Sequence, residues 1–143
     1  MDLLVELLEK SEAYLQELPP ATPPQRLPLG REIAAWIDHT LLRPEATATQ
    51  VKTLCEEAKQ YGFASVCVNP AFVHLAAGLL AESKVPVCVV VGFPLGATLP
   101  ILKVVETLAC LNAGAVEIDM VMNVGALKGE AYGQVLNEIQ SVV

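Results

Sequence analysis

Several kinds of feature are scarce in this sequence, and each scarcity excludes a class of protein. Aromatic residues make up only 5% of the 143 residues, and nine basic side chains stand against sixteen acidic ones, for a net charge of -7. This balance provides no electrostatic footprint for nucleic acid and disfavours a basic membrane-binding face. No apolar run is long enough to span a bilayer, and the first residues lack the basic start and cleavage site of a secretory signal. We therefore expect a cytoplasmic protein whose partners are small molecules.

Patterns typical of metal sites are also missing. The only cysteine and histidine residues are Cys55, Cys67, Cys88, Cys110, His39 and His74. No two of the cysteines form a Cys-x-x-Cys pair, so we expect no zinc site and interpret most of the thiols as small buried apolar groups in a reducing compartment. We interpret the two histidines as a strand residue on the helix-facing side of a sheet and a residue on a helix surface.

The first thirty residues differ in character from the rest. Leucines at helical spacing, with Glu and Lys between them, predict an amphipathic helix over residues 1–18 that starts at about residue 2. Five prolines then favour an extended linker over 19–30. The helix either caps the following domain or contacts another subunit, and the sequence leaves both alternatives open. The main domain is expected over 31–143.

Within the main domain, four strand-like runs alternate with four helix-like runs, which predicts repeated βα units and a parallel sheet. The strands are expected over 34–42, 64–69, 85–92 and 115–123. The first helix has Thr47 and Gln50 placed as a capping box and Gly62 as its stop. The second opens at Pro70 and the fourth starts near Tyr132.

Helix three is predicted to turn one apolar stripe toward the core. That stripe consists of Ile101, Val104, Val105, Leu108 and Leu111.

A parallel sheet of this kind could be an open doubly wound sheet or part of a closed barrel. An open doubly wound sheet that binds a dinucleotide would carry a Gly-x-Gly-x-x-Gly turn after its first strand, but Leu42-Arg43-Pro44 stands there. Half of a (βα)8 barrel fits better, because a complete barrel needs roughly 250 residues. The expected fold class is therefore α/β, a TIM-barrel half of about four βα units preceded by a helix.

Charged residues inside predicted strands point to the site. Glu117 and Asp119 lie two residues apart on an otherwise hydrophobic strand, so they share one face, and buried carboxylates are rare unless they are paired or used. In barrels, function lies at the carboxyl ends of the strands. The side chains that we expect around one central cavity are Asp38, Thr40, Ser65, Cys67, Asn69, Glu117, Asp119 and Asn123.

Four segments at consistent intervals resemble deoxyribose-phosphate aldolase. They read Ile37-Asp38-His39-Thr40-Leu41-Leu42, Val66-Cys67-Val68-Asn69-Pro70, Val91-Gly92-Phe93-Pro94-Leu95-Gly96 and Glu117-Ile118-Asp119-Met120-Val121. The resemblance covers about residues 34–143, and we expect no counterpart in this family for the first thirty residues.

The resemblance implies a class I aldolase on a TIM barrel. Such an enzyme reversibly cleaves 2-deoxy-D-ribose 5-phosphate to glyceraldehyde 3-phosphate and acetaldehyde through a lysine Schiff base, without metal or cofactor. By matching motifs, Asp119 corresponds to the acid/base aspartate and Asp38 to a second active-site aspartate that supports the proton relay. Pocket positions are expected at Thr40, Cys67, Asn69 and Glu117. Glu117 is alternatively a charge partner inside the barrel, and Cys67 either a packing residue or a reactive thiol.

The sequence lacks the family's Schiff-base lysine. The Schiff-base lysine lies on the sixth barrel strand and an activating lysine on the seventh, and neither segment exists in these 143 residues. The lysines at 10, 52, 59, 84, 103 and 128 all fall in predicted helices or loops. We therefore expect the N-terminal half of an aldolase that needs a complementing C-terminal half. The alternative is an inactive half-barrel that acts as an oligomeric or partner-binding remnant. In either case we expect a homo-oligomer or a complementing half to cover the open sheet edges.

Overall fold

A parallel sheet of four strands lies at the centre of the computed structural model, which describes residues 3–17 and 26–143. The strands are β1 (Asp38–Leu41), β2 (Ser65–Val68), β3 (Val87–Val91) and β4 (Glu117–Met120), and they pair in the order β1-β2-β3-β4. Spatial order follows chain order, as in the wall of a βα barrel, whereas a doubly wound sheet reverses direction at a switch point. The chain is thus a partial α/β barrel, as predicted.

One helix precedes the sheet, and at least one helix follows each strand. The first is α1 (Leu3–Glu17), and those after the strands are α2 (Ala48–Tyr61), α3 (Val73–Leu80), α4 (Pro100–Asn112), α5 (Val124–Lys128) and α6 (Tyr132–Gln140), with 3₁₀ segments at Gly30–Trp36 and Pro70–Phe72. The ends of α2 are as predicted, since Thr47 and Gln50 form the capping box and Gly62 stops the helix at a φ of 69°. Helix α5 was not predicted.

Helix α1 matches the helix predicted in the N-terminal segment and lies beside α6. Most of the linker predicted over 19–30 lies outside the described residues. Among the residues that are described, no helix is long and apolar enough to cross a membrane.

The first strand is shorter than predicted. Residues 34–36 belong to the 3₁₀ segment, and the carbonyl of Ala34 accepts hydrogen bonds from the amides of Ile37 (3.1 Å) and Ala64 (3.2 Å). These bonds keep the chain turned until Ile37, where it becomes extended. Hydrophobic composition alone did not distinguish this turn from a strand.

The core lies between the sheet and helices α2 and α3. Every residue of β2 and β3 is buried, whereas β1 and β4 alternate between exposed and half-buried residues. The predicted unpaired edges are therefore present at β1 and β4 in the described structure.

Helix α4 faces the opposite way from the prediction. Its buried residues are Lys103, Thr107 and Cys110, while most of the predicted apolar stripe is exposed: Ile101 61%, Val105 54%, Leu108 55% and Leu111 44%. The prediction that the stripe packs on the core was wrong, because α4 instead uses Lys103 to pair with an acidic residue of α6.

Candidate active site

The polar side chains share the concave face of the sheet. In the observed register, Thr40 pairs with Cys67, Cys67 with Cys88, and Cys88 with Glu117, which forms one row across four strands. Asp38 and its partner Ser65 lie one row toward the strand starts, and Asp119 lies one row toward the strand ends. Because neighbours in register point to the same side, all these residues face one surface.

On the opposite face of β1, His39 packs against the helix layer as predicted. Its Nε2 lies 2.7 Å from a carboxylate oxygen of Glu57, and its ring stacks on Phe63 at 4.4 Å between centroids. His74 is exposed on α3, also as predicted. Both histidines are therefore away from the concave face.

Asp38 is held by a neighbouring strand. The hydroxyl of Ser65 donates a 2.7 Å hydrogen bond to Oδ1 of Asp38, and Ser65 itself is buried. Asp38 and Asp119 lie on the two edge strands, three strand spacings or roughly 14 Å apart across the sheet, and they are also two side-chain rows apart along the strands. The structure therefore places both aspartates on one face but does not bring them into contact.

Glu117 and Asp119 are exposed on β4, although the sequence suggested that their strand would be buried. The reason is that β4 is an edge strand with no wall opposite it in the described part of the molecule. Neither carboxylate has a side-chain hydrogen bond or ion pair with a described residue, so both are open to solvent and to any incoming cation.

Cys67 lies between the carboxylates, and it contacts a second thiol. Cys67 and Cys88 are 4% and 2% exposed and pack together with Val90. A hydrogen bond from the Cys88 thiol lowers the pKa of Cys67, against the opposing effects of burial and of the charges of Asp119, Asp38 and Glu117. The same hydrogen bond, together with burial, raises the pKa of Cys88. Cys67 therefore lies within the electrostatic influence of all three carboxylates.

The other predicted pocket residues are less closely grouped. Asn69 lines a groove of about 440 Å³ beside Leu42, Phe72 and Phe93, at the carboxyl ends of β1 to β3. The hydroxyl of Thr40 donates to the carbonyl of Asp38 at 2.9 Å, and Thr40 lines a separate groove against α2. Asn123 does not face the cavity freely, because its Oδ1 caps α5 by accepting from the amide of Ala126 at 3.0 Å.

The loop after β3 is fitted closely to the end of β4. Gly92 and Gly96 have φ values of 65° and 64°, in the left-handed region that favours glycine, and the amide of Gly96 donates to the carbonyl of Gly92 at 2.8 Å. A side chain at Gly96 would place its Cβ 2.0 Å from the carbonyl oxygen of Met122. The two loops at the carboxyl ends of β3 and β4 are therefore in direct backbone contact.

A buried ion pair lies beneath these loops. Nζ of Lys103 is 2.6 Å from Oε2 of Glu138, and the side chains are 0% and 2% exposed. Burial raises the pKa of Glu138, but hydrogen bonds from Lys103, Gln134 and Asn123 and the charge of Lys103 outweigh it, so that the pKa lies below its usual value.

Sequence reasoning missed three of these groups: Cys88 as the partner of Cys67, and both members of the Lys103–Glu138 pair. It placed Ser65 at the cavity but did not identify it as the partner of Asp38. Strand alternation carried a signal for Ser65 and Cys88, since each sits opposite a predicted site residue. Nothing in the sequence signalled the ion pair, whose members are 35 residues apart. The prediction that all lysines lie outside the strands is confirmed, but one of them is buried.

Comparison with known proteins identifies close relatives of this chain. Residues 33–143 match the family model of DeoC/LacD family aldolases. Two proteins named deoxyribose-phosphate aldolase are similar to this chain, one from Halalkalibacterium halodurans (56% identity over 116 residues) and one from Geobacillus sp. strain WCH70 (57% over 115). Each alignment covers 80% of this chain and 52% of the relative. The chain thus spans about half the length of these relatives.

Solved structures agree with the sequence relatives. A candidate deoxyribose-phosphate aldolase from Coccidioides immitis superimposes with a TM-score of 0.81 at 38% identity, covering 96% of this chain and 54% of that one. The tetrameric deoxyribose phosphate aldolase from Aeropyrum pernix gives 0.64 at 35% identity, covering 79% and 50%. The family model begins at residue 33, in agreement with the expectation that the first thirty residues have no counterpart in the family's sequence, although the Coccidioides alignment extends into this segment.

Proposed function

Because this chain belongs to the DeoC/LacD aldolase family, we propose that it forms the aspartate-bearing half of a deoxyribose-phosphate aldolase. The substrate would be 2-deoxy-D-ribose 5-phosphate, cleaved reversibly to glyceraldehyde 3-phosphate and acetaldehyde. The observation that supports this most is the common face that the strand register gives to Asp38, Cys67, Glu117 and Asp119. Four free cysteines suit a reducing compartment, so we place the protein in the cytoplasm.

In this proposal the reaction uses a lysine from a second half-barrel. Its amine would add to the C1 aldehyde and lose water to give an iminium. The C3 hydroxyl then gives up its proton as the C2–C3 bond breaks, which releases glyceraldehyde 3-phosphate and leaves an enamine. Protonation of the enamine at C2 and hydrolysis of the resulting iminium release acetaldehyde and restore the amine. Each of these steps moves a proton, and a carboxylate can both give and accept it. Asp119, which is exposed and has no described partner, is the proposed acid/base, acting through a water molecule. Asp38, held by Ser65, would support the relay.

A chimera tests this proposal directly. Residues 1–143 would replace the matching half of the Halalkalibacterium relative, and retro-aldol cleavage would be followed by coupling glyceraldehyde 3-phosphate to a dehydrogenase. We expect activity from the chimera and none from the 143-residue chain alone. Within the chimera, Asp119→Asn should lower kcat by about 10²-fold or more, the usual scale of a lost acid/base group.

The matched control is Glu82→Gln, which removes an exposed carboxylate between α3 and β3. It should leave kcat unchanged. A clear retro-aldol rate from the 143-residue chain, or a fully active Asp119→Asn chimera, would contradict the proposed roles. An inactive chimera that is folded would favour the alternative of a non-catalytic half-barrel.

We also propose that a second copy of this chain covers the outer face of α4. Five large apolar side chains lie exposed on this helix, namely Ile101, Leu102, Val105, Leu108 and Leu111. Exposed apolar patches of this kind mark interaction surfaces. An apolar stripe along one helix is self-complementary when two copies pack about a twofold axis. Both charged residues of this helix, Lys103 and Glu106, have inward partners, so no charge opposes such packing. The tetrameric Aeropyrum relative provides a precedent for assembly.

A further inference from the structure

The buried pair Lys103–Glu138 connects two loops rather than two helices alone. On the α6 side, Oε1 of Glu138 accepts hydrogen bonds from Gln134 at 2.9 Å and from the side-chain amide of Asn123 at 3.5 Å. Asn123 is the N-cap residue of α5 and lies three residues after the end of β4. Glu138 therefore holds the point where β4 passes into its loop.

On the α4 side, the same pair reaches the end of β3. A Cβ added to Gly92 would lie 3.1 Å from Cε of Lys103, so the lysine stem packs directly against this glycine. One helical turn along α4, Oε2 of Glu106 accepts a 2.8 Å hydrogen bond from the amide of Gly92. Gly92 is the first residue after β3, so α4 contacts the chain where it leaves β3. In the same way, α6 contacts the chain after β4 through Asn123.

We propose that Lys103 and Glu138 are positioning residues that fix the exits of β3 and β4 relative to each other, and with them the strand that carries Asp119. The catalytic meaning of this inference rests on the proposed aldolase function, whereas its structural part does not. Lys103 is not a substitute for the missing Schiff-base lysine, because its amine is enclosed and ion-paired. An apolar pair could fill the same space, but it would lack the directional 2.6 Å contact that sets the spacing of the two helices.

Hydrogen–deuterium exchange on the 143-residue chain tests the structural part. The variants are Lys103→Met, the double variant Lys103→Met/Glu138→Met, and the control Lys52→Met on the exposed side of α2. The double variant leaves no buried charge, so it should keep the global fold. In both lysine-103 variants we expect amides at 91–96 and 121–126 to exchange at least about tenfold faster, while those of α2 change little in the double variant. The control should match the parent chain throughout.

Two outcomes would overturn positioning. In one, both loops of the double variant exchange at the same rate as in the parent chain, which would mean that the pair only fills space. In the other, the loops and α2 change together in the double variant, which would indicate general destabilisation without a local role.

The aldolase chimera tests the catalytic part. The double variant should lower kcat about tenfold or more with KM changed less than about twofold, because misplacing a catalytic group affects the chemical step more than binding. An unchanged kcat would refute the link to Asp119. If the parent chimera shows no activity, the aldolase proposal fails, while the exchange experiment still decides whether the pair positions the loops.

Discussion

Replacing Gly96 by alanine should destabilise this protein far more than the same change at Gly62. Both glycines have left-handed backbone, with φ values of 64° and 69°. They differ in what a new methyl group would meet: at Gly62 nothing lies within 4 Å, whereas at Gly96 the carbonyl oxygen of Met122 lies 2.0 Å away. The pair of variants therefore separates backbone strain from steric overlap.

The magnitudes follow from these distances. Placing alanine in the left-handed region costs about 1–2 kcal/mol at either position. At Gly96 the overlap is with backbone atoms, which cannot rotate away, so the loop after β3 must move off the end of β4. Overpacking of this kind adds about 1–3 kcal/mol. We expect Gly96→Ala to lower the free energy of unfolding by about 2–5 kcal/mol in total and Gly62→Ala by about 1–2 kcal/mol.

Urea denaturation followed by far-ultraviolet circular dichroism measures the difference. All proteins should be compared at one concentration, because self-association would shift the midpoint. A difference between the two variants below about 0.5 kcal/mol, which is the usual effect of a neutral surface change, would refute the close fit of the two loops. In that case the loop after β3 would not support β4 near Asp119.

Two further predictions concern acid stability and assembly. Because the pKa of Glu138 is lowered in the folded state, its contribution to stability is complete above the ordinary glutamate pKa of about 4.3 and is lost as pH falls from there through the lower folded value. Glu138→Gln should flatten this acid limb in pH-dependent denaturation, and an unchanged slope would contradict the prediction. Val105→Glu should dissociate the proposed dimer, because it would place a charge in the apolar interface. Leu27→Glu, at another exposed position, should leave the dimer intact. If analytical ultracentrifugation finds the same association state for both variants, the α4 interface is contradicted.

The order of elements and the identity of the site face could be predicted from the sequence. Hydrophobic runs, the Thr47 capping box and the Gly62 stop depend on neighbours in the chain, and the structure confirms them. The grouping of Asp38, Cys67 and Asp119 on one face followed from strand alternation once parallel pairing was assumed. Strand lengths did not follow, because a strand extends only as far as its neighbour pairs with it. For the same reason, the exposure of Glu117 and Asp119 could not be judged without knowing that β4 is an edge.

Helix α4 shows most clearly what a local sequence pattern cannot predict. Its apolar spacing correctly predicts a helix, but a periodic stripe indicates only that one face differs from the other, and it does not say which face meets the core. The choice is made by Glu138, whose buried carboxylate needs a cation. A lone buried carboxylate would be strongly destabilising, so turning Lys103 inward is favoured even though it exposes Val105 and Leu108. The buried ion pair inside the subunit and the exposed stripe, on which the proposed dimer depends, are therefore two consequences of one helix rotation.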